Sequence, residues 1–131
     1  MPQTYIVVRL DGKNFKEFTE SMNLEKPNDT RLTKLMNKCA KHIMMTYKEV
    51  VLSYGMSDEY SFVFRKTTGI FDRDGDRIMA TLVSLFSSSF LFFFPKYFDN
   101  IRMVVIPSFA AKINIYPGLG ELKAYISSRQ A

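Results

Sequence analysis

Tyr5-Ile6-Val7-Val8-Arg9-Leu10, followed by Asp11-Gly12-Lys13-Asn14, is the stretch that decides the fold. The first six residues are β-branched and nearly all apolar, the pattern of a central strand covered on at least one face. Asp11-Gly12-Lys13-Asn14 is expected to break that strand. A second acidic segment, Ser57-Asp58-Glu59, opens another strand pattern at residues 60–65. There Tyr60, Phe62 and Phe64 alternate with Ser61, Val63 and Arg65.

Outward from these two segments the elements alternate in type. Residues 15–19 read as a short helix, and Lys26-Pro27-Asn28 marks a loop. A helix follows, with Asn28, Asp29 or Thr30 as candidate caps. Leu32, Leu35, Met36, Cys39 and Ile43 recur along it at helical spacing, and it is expected to end near Tyr47. Residues 50–54 form the strand before Ser57. A long helix starts at about Arg73 or Arg77 and reaches Phe93, with Pro95 helping to stop it. Residues 110–116 alternate as a last strand, and residues 121–128 read as a closing helix. The order strand, helix, strand, strand, helix, strand predicts an α+β domain of ferredoxin-like, split βαβ type. This is a four-stranded antiparallel sheet with helices packed on one face.

Right-handed crossovers make the first and third strands antiparallel neighbours in mid-sheet. Asp11, at the end of one, then lies beside Asp58 and Glu59, at the start of the other. Carboxylates brought together repel unless a cation compensates them, and magnesium takes oxygen ligands with water and phosphate completing its shell. Asp11 and Asp58 are therefore candidate metal ligands, with the Gly12 carbonyl a third. Strand alternation gives Glu59 a supporting role. Taken singly, Asp-Gly and Ser-Asp are ordinary turn pairs. Gly12-Lys13-Asn14-Phe15 offers backbone N–H groups to an anion if a helix starts there, and Lys13 and Lys16 add charge. Lys26 and Asp29 are candidates to line a base or phosphate pocket, Asp29 equally a helix cap.

Composition bounds the alternatives. The chain has 131 residues, 47% hydrophobic and 24% charged, with a formal net charge of +5. One compact domain over residues 1–131 and an anionic partner fit those values. Cys39 and His42 are the only residues of their kinds, which excludes an intrachain disulfide and argues against structural zinc. A single thiol agrees with a reducing, intracellular setting. Asp72-Arg73-Asp74-Gly75-Asp76 lacks the closing glutamate of a calcium loop and reads as a helix start. The most apolar stretch, residues 82–94, is shorter than the ~20 residues of a membrane span, so no membrane partner is expected.

Three segments carry a family resemblance. They are Ile6-Val7-Val8-Arg9-Leu10-Asp11-Gly12-Lys13-Asn14-Phe15, Lys26-Pro27-Asn28-Asp29, and Tyr54-Gly55-Met56-Ser57-Asp58-Glu59-Tyr60-Ser61-Phe62. They closely resemble the tRNA(His) guanylyltransferase family of eukaryotic type, and Tyr125-Ile126-Ser127-Ser128-Arg129-Gln130-Ala131 is similar too. The resemblance implies a polymerase-like palm that extends RNA in the 3′-to-5′ direction. ATP would activate the 5′-phosphate of tRNA(His), and the 3′-hydroxyl of GTP would then attack, with two magnesium ions serving both transfers. Asp11, Gly12 and Asp58 would bind metal, and Asp11, Asp58 and Glu59 would be the catalytic set. Asp11 to Lys16, Lys26, Asp29, Ser57 and Asp58 would hold nucleotide. The family assembles as tetramers, so a homo-oligomer is a further implication, and a cytoplasmic or nuclear location fits. Family members continue past the point matching Ala131, through a His-Ile-Asn-Asn-like motif, so the chain is expected to be the palm portion. Besides the transferase, two other readings stand: a palm module that binds metal and GTP without catalysis, and, more weakly, a nucleotide cyclase.

Overall fold

In a computed structural model of the chain the apolar run becomes β1, Tyr5–Lys13, one of the two inner strands of a four-stranded sheet. The residues described are 4–13, 15–21, 30–56, 59–65, 68–99, 101–103 and 105–130. After β1 come α1 (Phe15–Ser21), α2 (Thr30–Thr46), β2 (Val50–Met56) and β3 (Glu59–Phe64). A 3-10 turn at Ile70–Arg73 leads into α3 (Gly75–Tyr97), and β4 (Ser108–Tyr116) and α4 (Leu119–Gln130) close the order. The strands lie in the sequence β2-β3-β1-β4, every pairing antiparallel. β1 and β3 are central neighbours, as the crossover argument requires.

One face of the sheet carries the main core. Ile6, Val8 and Leu10 of β1, Phe62 and Phe64 of β3, and Phe109 of β4 meet Leu35, Cys39 and Ile43 of α2 and Ile78, Leu82, Phe86, Phe90 and Phe94 of α3. Aromatic rings dominate it: Phe86 lies 5.0 Å from Phe109, edge-on, and Phe94 stacks on Phe98 at 4.8 Å. Contacts of this kind add to burial, so truncating one such ring costs about 3–5 kcal/mol. Cys39 is fully buried and its thiol is pushed up to about 12, chiefly by desolvation, so it packs as a small apolar side chain.

Several boundaries differ from expectation. β1 does not break at Asp11. It continues to Lys13 because β4 starts at Ser108 and pairs with Gly12 and Lys13. α3 does not stop at Phe93 but runs through Pro95 to Tyr97. Proline removes one N–H bond to the carbonyl four residues back, here Leu91, and both residues are exposed, so water can satisfy that carbonyl. The lengthened α3 has the length and apolar composition of a bilayer-crossing helix, with only part of that length buried. Its buried stripe is the core of the helical layer. Asp74 caps it, accepting from the N–H groups of Asp76 (3.1 Å) and Arg77 (3.3 Å). Thr30 is the first residue of α2 rather than its cap, and Asn28 and Asp29 lie outside the described residues.

α2 and α3 occupy one face, as expected, but α4 lies on the other. Leu122 of α4 is buried with Val7 and Val63, ringed by Tyr5, Tyr116, Tyr125 and Ile126. Strand alternation exposes Val7 and Val63 on this second face, and α4 covers that end of it.

Candidate active site

Asp11 belongs to the second face. Ile6, Val8 and Leu10 point into the main core, so Val7, Arg9 and Asp11 point the other way. β3 matches this alternation: Phe62 and Phe64 are in the core, while Ser61 and Val63 face α4. The β1–β3 register sets Asp11 opposite Glu59. Residues opposed across an antiparallel pair share a face, with Cβ atoms about 4.5–5.5 Å apart. Asp11 and Glu59, 48 positions apart in sequence, are thus brought together by topology. Asp58 and Ser57 lie outside the described residues, as do Asn14, Lys26 and Asp29.

Leu122 of α4 covers Val7, and Tyr125 of α4 reaches Ser61, the register partner of Arg9. Asp11 lies four strand positions beyond Val7, about 13 Å, and its side chain retains 29% of its exposure. The covered end is rich in tyrosine. Tyr125 and Ser61 share a hydrogen bond of 3.0 Å between hydroxyls, and the Tyr116 and Tyr125 rings are 5.2 Å apart. The Tyr54 hydroxyl is buried beside them and, among the described residues, has no hydrogen-bond partner. Desolvation pushes it up to about 12, against the opposing influence of Ser61.

Arg9 stands two residues before Asp11 on the same face, its Nε 3.3 Å from Asp11 Oδ2. Lys112 of β4 is the register partner of Arg9. The sequence reading passed over Arg9, although i and i+2 on a strand necessarily share a face.

Gly12 has a structural reason of its own. A Cβ there would stand 2.7 Å from Phe15 Cδ1 and 2.9 Å from Cγ. The Phe15 ring is buried against Phe18, Phe90 and Phe109, so only its backbone remains to serve a ligand. Lys13 and Lys16 are exposed on either side of the start of α1.

The donor set fits a hard divalent cation. Asp11 and Glu59 offer carboxylate oxygens on a partly solvated face, where water and phosphate can complete the shell. Among the described residues no group of three His, Cys, Asp or Glu side chains is assembled. A groove of about 440 Å³ lined by Tyr47, Ala80, Thr81, Ser84, Leu85 and Ser88 lies in the helical layer. It belongs to the face opposite Asp11 and carries no carboxylate.

An antiparallel β2-β3-β1-β4 sheet, two helices on one face and carboxylates at a β1–β3 register pair define a palm-like domain. Comparison places it more closely. Residues 1–117 match the family model described as tRNAHis guanylyltransferase. The chain belongs to the tRNA(His) guanylyltransferase family. It is 44% identical over 130 residues to the tRNA(His) guanylyltransferase of Schizosaccharomyces pombe, covering 99% of this chain and 49% of that protein. It is 43% identical to the probable tRNA(His) guanylyltransferase of Homo sapiens, over 97% of this chain and 43% of that one. The chain thus spans about half the length of the curated relatives it matches. The crystal structure of the Saccharomyces cerevisiae enzyme superposes with a TM-score of 0.94 at 39% identity, over 98% of this chain and 58% of that one. A bacterial tRNA(His) guanylyltransferase-like protein in complex with GTP has the same fold, with a TM-score of 0.86 at 20% identity.

Proposed function

We propose that this chain is the palm portion of a magnesium-dependent nucleotidyltransferase that adds guanosine to the 5′ end of histidine tRNA. Family membership together with the Asp11–Glu59 register pair carries the reading. In it, ATP activates the tRNA 5′-phosphate and the 3′-hydroxyl of GTP attacks. Asp11, Asp58 and the Gly12 carbonyl hold two magnesium ions, and Glu59 holds charge beside them. Bound magnesium supplies polarisation of phosphoryl oxygens and a clamp on the attacking and leaving oxygens. Lys13 and Lys16 attract the triphosphate. The backbone from Asp11 to Lys16 positions it, with Lys26, Asp29 and Ser57 completing the nucleotide contacts. An intracellular setting, cytoplasmic or nuclear, with no membrane partner, and assembly into an oligomer go with this reading.

The test is transfer of labelled GTP to 5′-activated tRNA(His) by the chain and by Asp11→Asn. Losing a group that only supports a metal ligand costs 10–100-fold, so losing the ligand itself is expected to cost more than about 100-fold. Equal labelling by both proteins would reject the assignment. A second reading is a module that binds magnesium and GTP without transfer. Magnesium-dependent GTP binding without labelled product selects that reading.

A further inference from the structure

The contact between Arg9 and Asp11 has a consequence for any cation that binds there. Arg9 is the more buried of the two, with 16% side-chain exposure against 29% for Asp11. Groups from three elements share the Arg9 face, Tyr125 of α4 among them through its 3.0 Å contact with Ser61. Across the register stand Ser61 on β3 and Lys112 on β4, with Tyr116 further along the same face. Asp11 in turn faces Glu59 and Ala110. Two carboxylates at one register pair repel unless a positive charge is close, and Arg9 supplies one through a single 3.3 Å contact from Nε. A bidentate guanidinium fork would hold its partner more tightly. A long single contact to a partly solvated carboxylate is a weak tether. A divalent ion brings twice the charge to about 2.0–2.1 Å from the same oxygen.

We infer that Arg9 is the resident counter-ion of the candidate cation site: its guanidinium holds Asp11 in the metal-free protein and is displaced from that carboxylate when a divalent ion binds. This rests on the proposed cation-binding role of Asp11 and adds to it that Arg9 sets the affinity. Arg9 keeps the paired carboxylates tolerable without metal and makes the ion compete for its seat. Arg9 is a positioning residue in this scheme, acting through Asp11.

The experiment is a manganese titration of the full chain without nucleotide, reading free Mn²⁺ by electron paramagnetic resonance. Wild type is compared with Arg9→Gln, Arg9→Lys, Lys112→Gln and Asp11→Asn, all checked for native circular dichroism. Arg9→Gln is expected to bind Mn²⁺ about three- to tenfold more tightly, the range that a weak to moderate ion pair sets. Arg9→Lys keeps a cation at the position and is expected to stay within about twofold of wild type. Lys112→Gln removes the same charge from the same face without touching Asp11, and is likewise expected within about twofold. Unchanged or weaker binding by Arg9→Gln overturns the inference while leaving the cation site intact. So does equal tightening by Lys112→Gln, which would mark a general field rather than a contact. If Asp11→Asn binds Mn²⁺ as wild type does, the cation-binding role of Asp11 itself fails, and the inference with it.

Discussion

Replacing Gly12 with alanine separates two reasons for a glycine beside Asp11. Its φ is not in the left-handed region, so the backbone conformation admits any residue. What forbids a side chain is space: the new methyl would lie 2.7, 2.9 and 3.2 Å from Phe15 Cδ1, Cγ and Cβ. Phe15 cannot swing away freely, because its ring is 5.2 Å from Phe18 and 5.8 Å from Phe109, centroid to centroid. Overpacking of this kind costs about 1–3 kcal/mol, and Gly12→Ala is expected to fall in that range by urea unfolding. Phe15→Ala alone removes a buried ring and should cost about 3–5 kcal/mol. In that background the methyl has room, and a glycine-to-alanine change at an ordinary φ stabilises by about 0.4–1 kcal/mol through the unfolded chain. The effect of Gly12→Ala should therefore change sign, giving a coupling energy of at least about 1.4 kcal/mol in a double-mutant cycle. Additive effects, or a Gly12→Ala protein as stable as wild type, would refute the packing argument and leave Gly12 a purely ligand-facing residue.

Two further expectations are independent of the site chemistry. The Tyr54 pKa is raised from 10.0 to about 12, so the folded state binds its proton longer than the unfolded chain does. Its stabilising contribution is complete below pH 10 and is lost as pH rises towards 12. Unfolding free energy should decline across that window, and Tyr54→Phe should flatten the decline; Tyr60 and Tyr116, also raised by burial, account for what remains. An equally steep decline in the variant would contradict the assignment. Asp74→Ala removes both side-chain bonds at the start of α3. It should cost about 1 kcal/mol in the same urea assay, with Asp74→Ser close to wild type.

The sheet was legible in the sequence because its inner strands carry uninterrupted or alternating apolar residues, and the order of elements admits few topologies. The end of β1 was not. Asp-Gly belongs to the vocabulary of turns, and only the pairing of Gly12 and Lys13 with β4 keeps the strand going, a tertiary fact with no local signature. Pro95 misled for the opposite reason. It is a strong breaker in isolation, but it falls in the last turn of α3 with its lost bond facing water. The placement of α4 had a signal that went unread: Leu122, Tyr125 and Ile126 are spaced to share a helix face, matching the apolar residues that Val7 and Val63 present on the second face of the sheet.

At the site, alternation predicts that Asp58 and Glu59 diverge; register sets Glu59 on the Asp11 face, and Asp58 lies outside the described residues. Arg9 needed no structure to be placed beside Asp11, only the period of a strand. Its contact with the carboxylate did need one. Phe15 shows the limit of motif reading, since the same residue continues the Gly12-Lys13-Asn14 segment and fills the core.

Crystals of the chain grown with GTP and Mn²⁺, with diffraction recorded at the manganese edge, would test the central claim most directly. The account predicts anomalous density coordinated by an Asp11 carboxylate oxygen at the β1–β3 edge, next to the triphosphate. Manganese seated elsewhere while GTP is bound, with Asp11 still paired to Arg9, would contradict it.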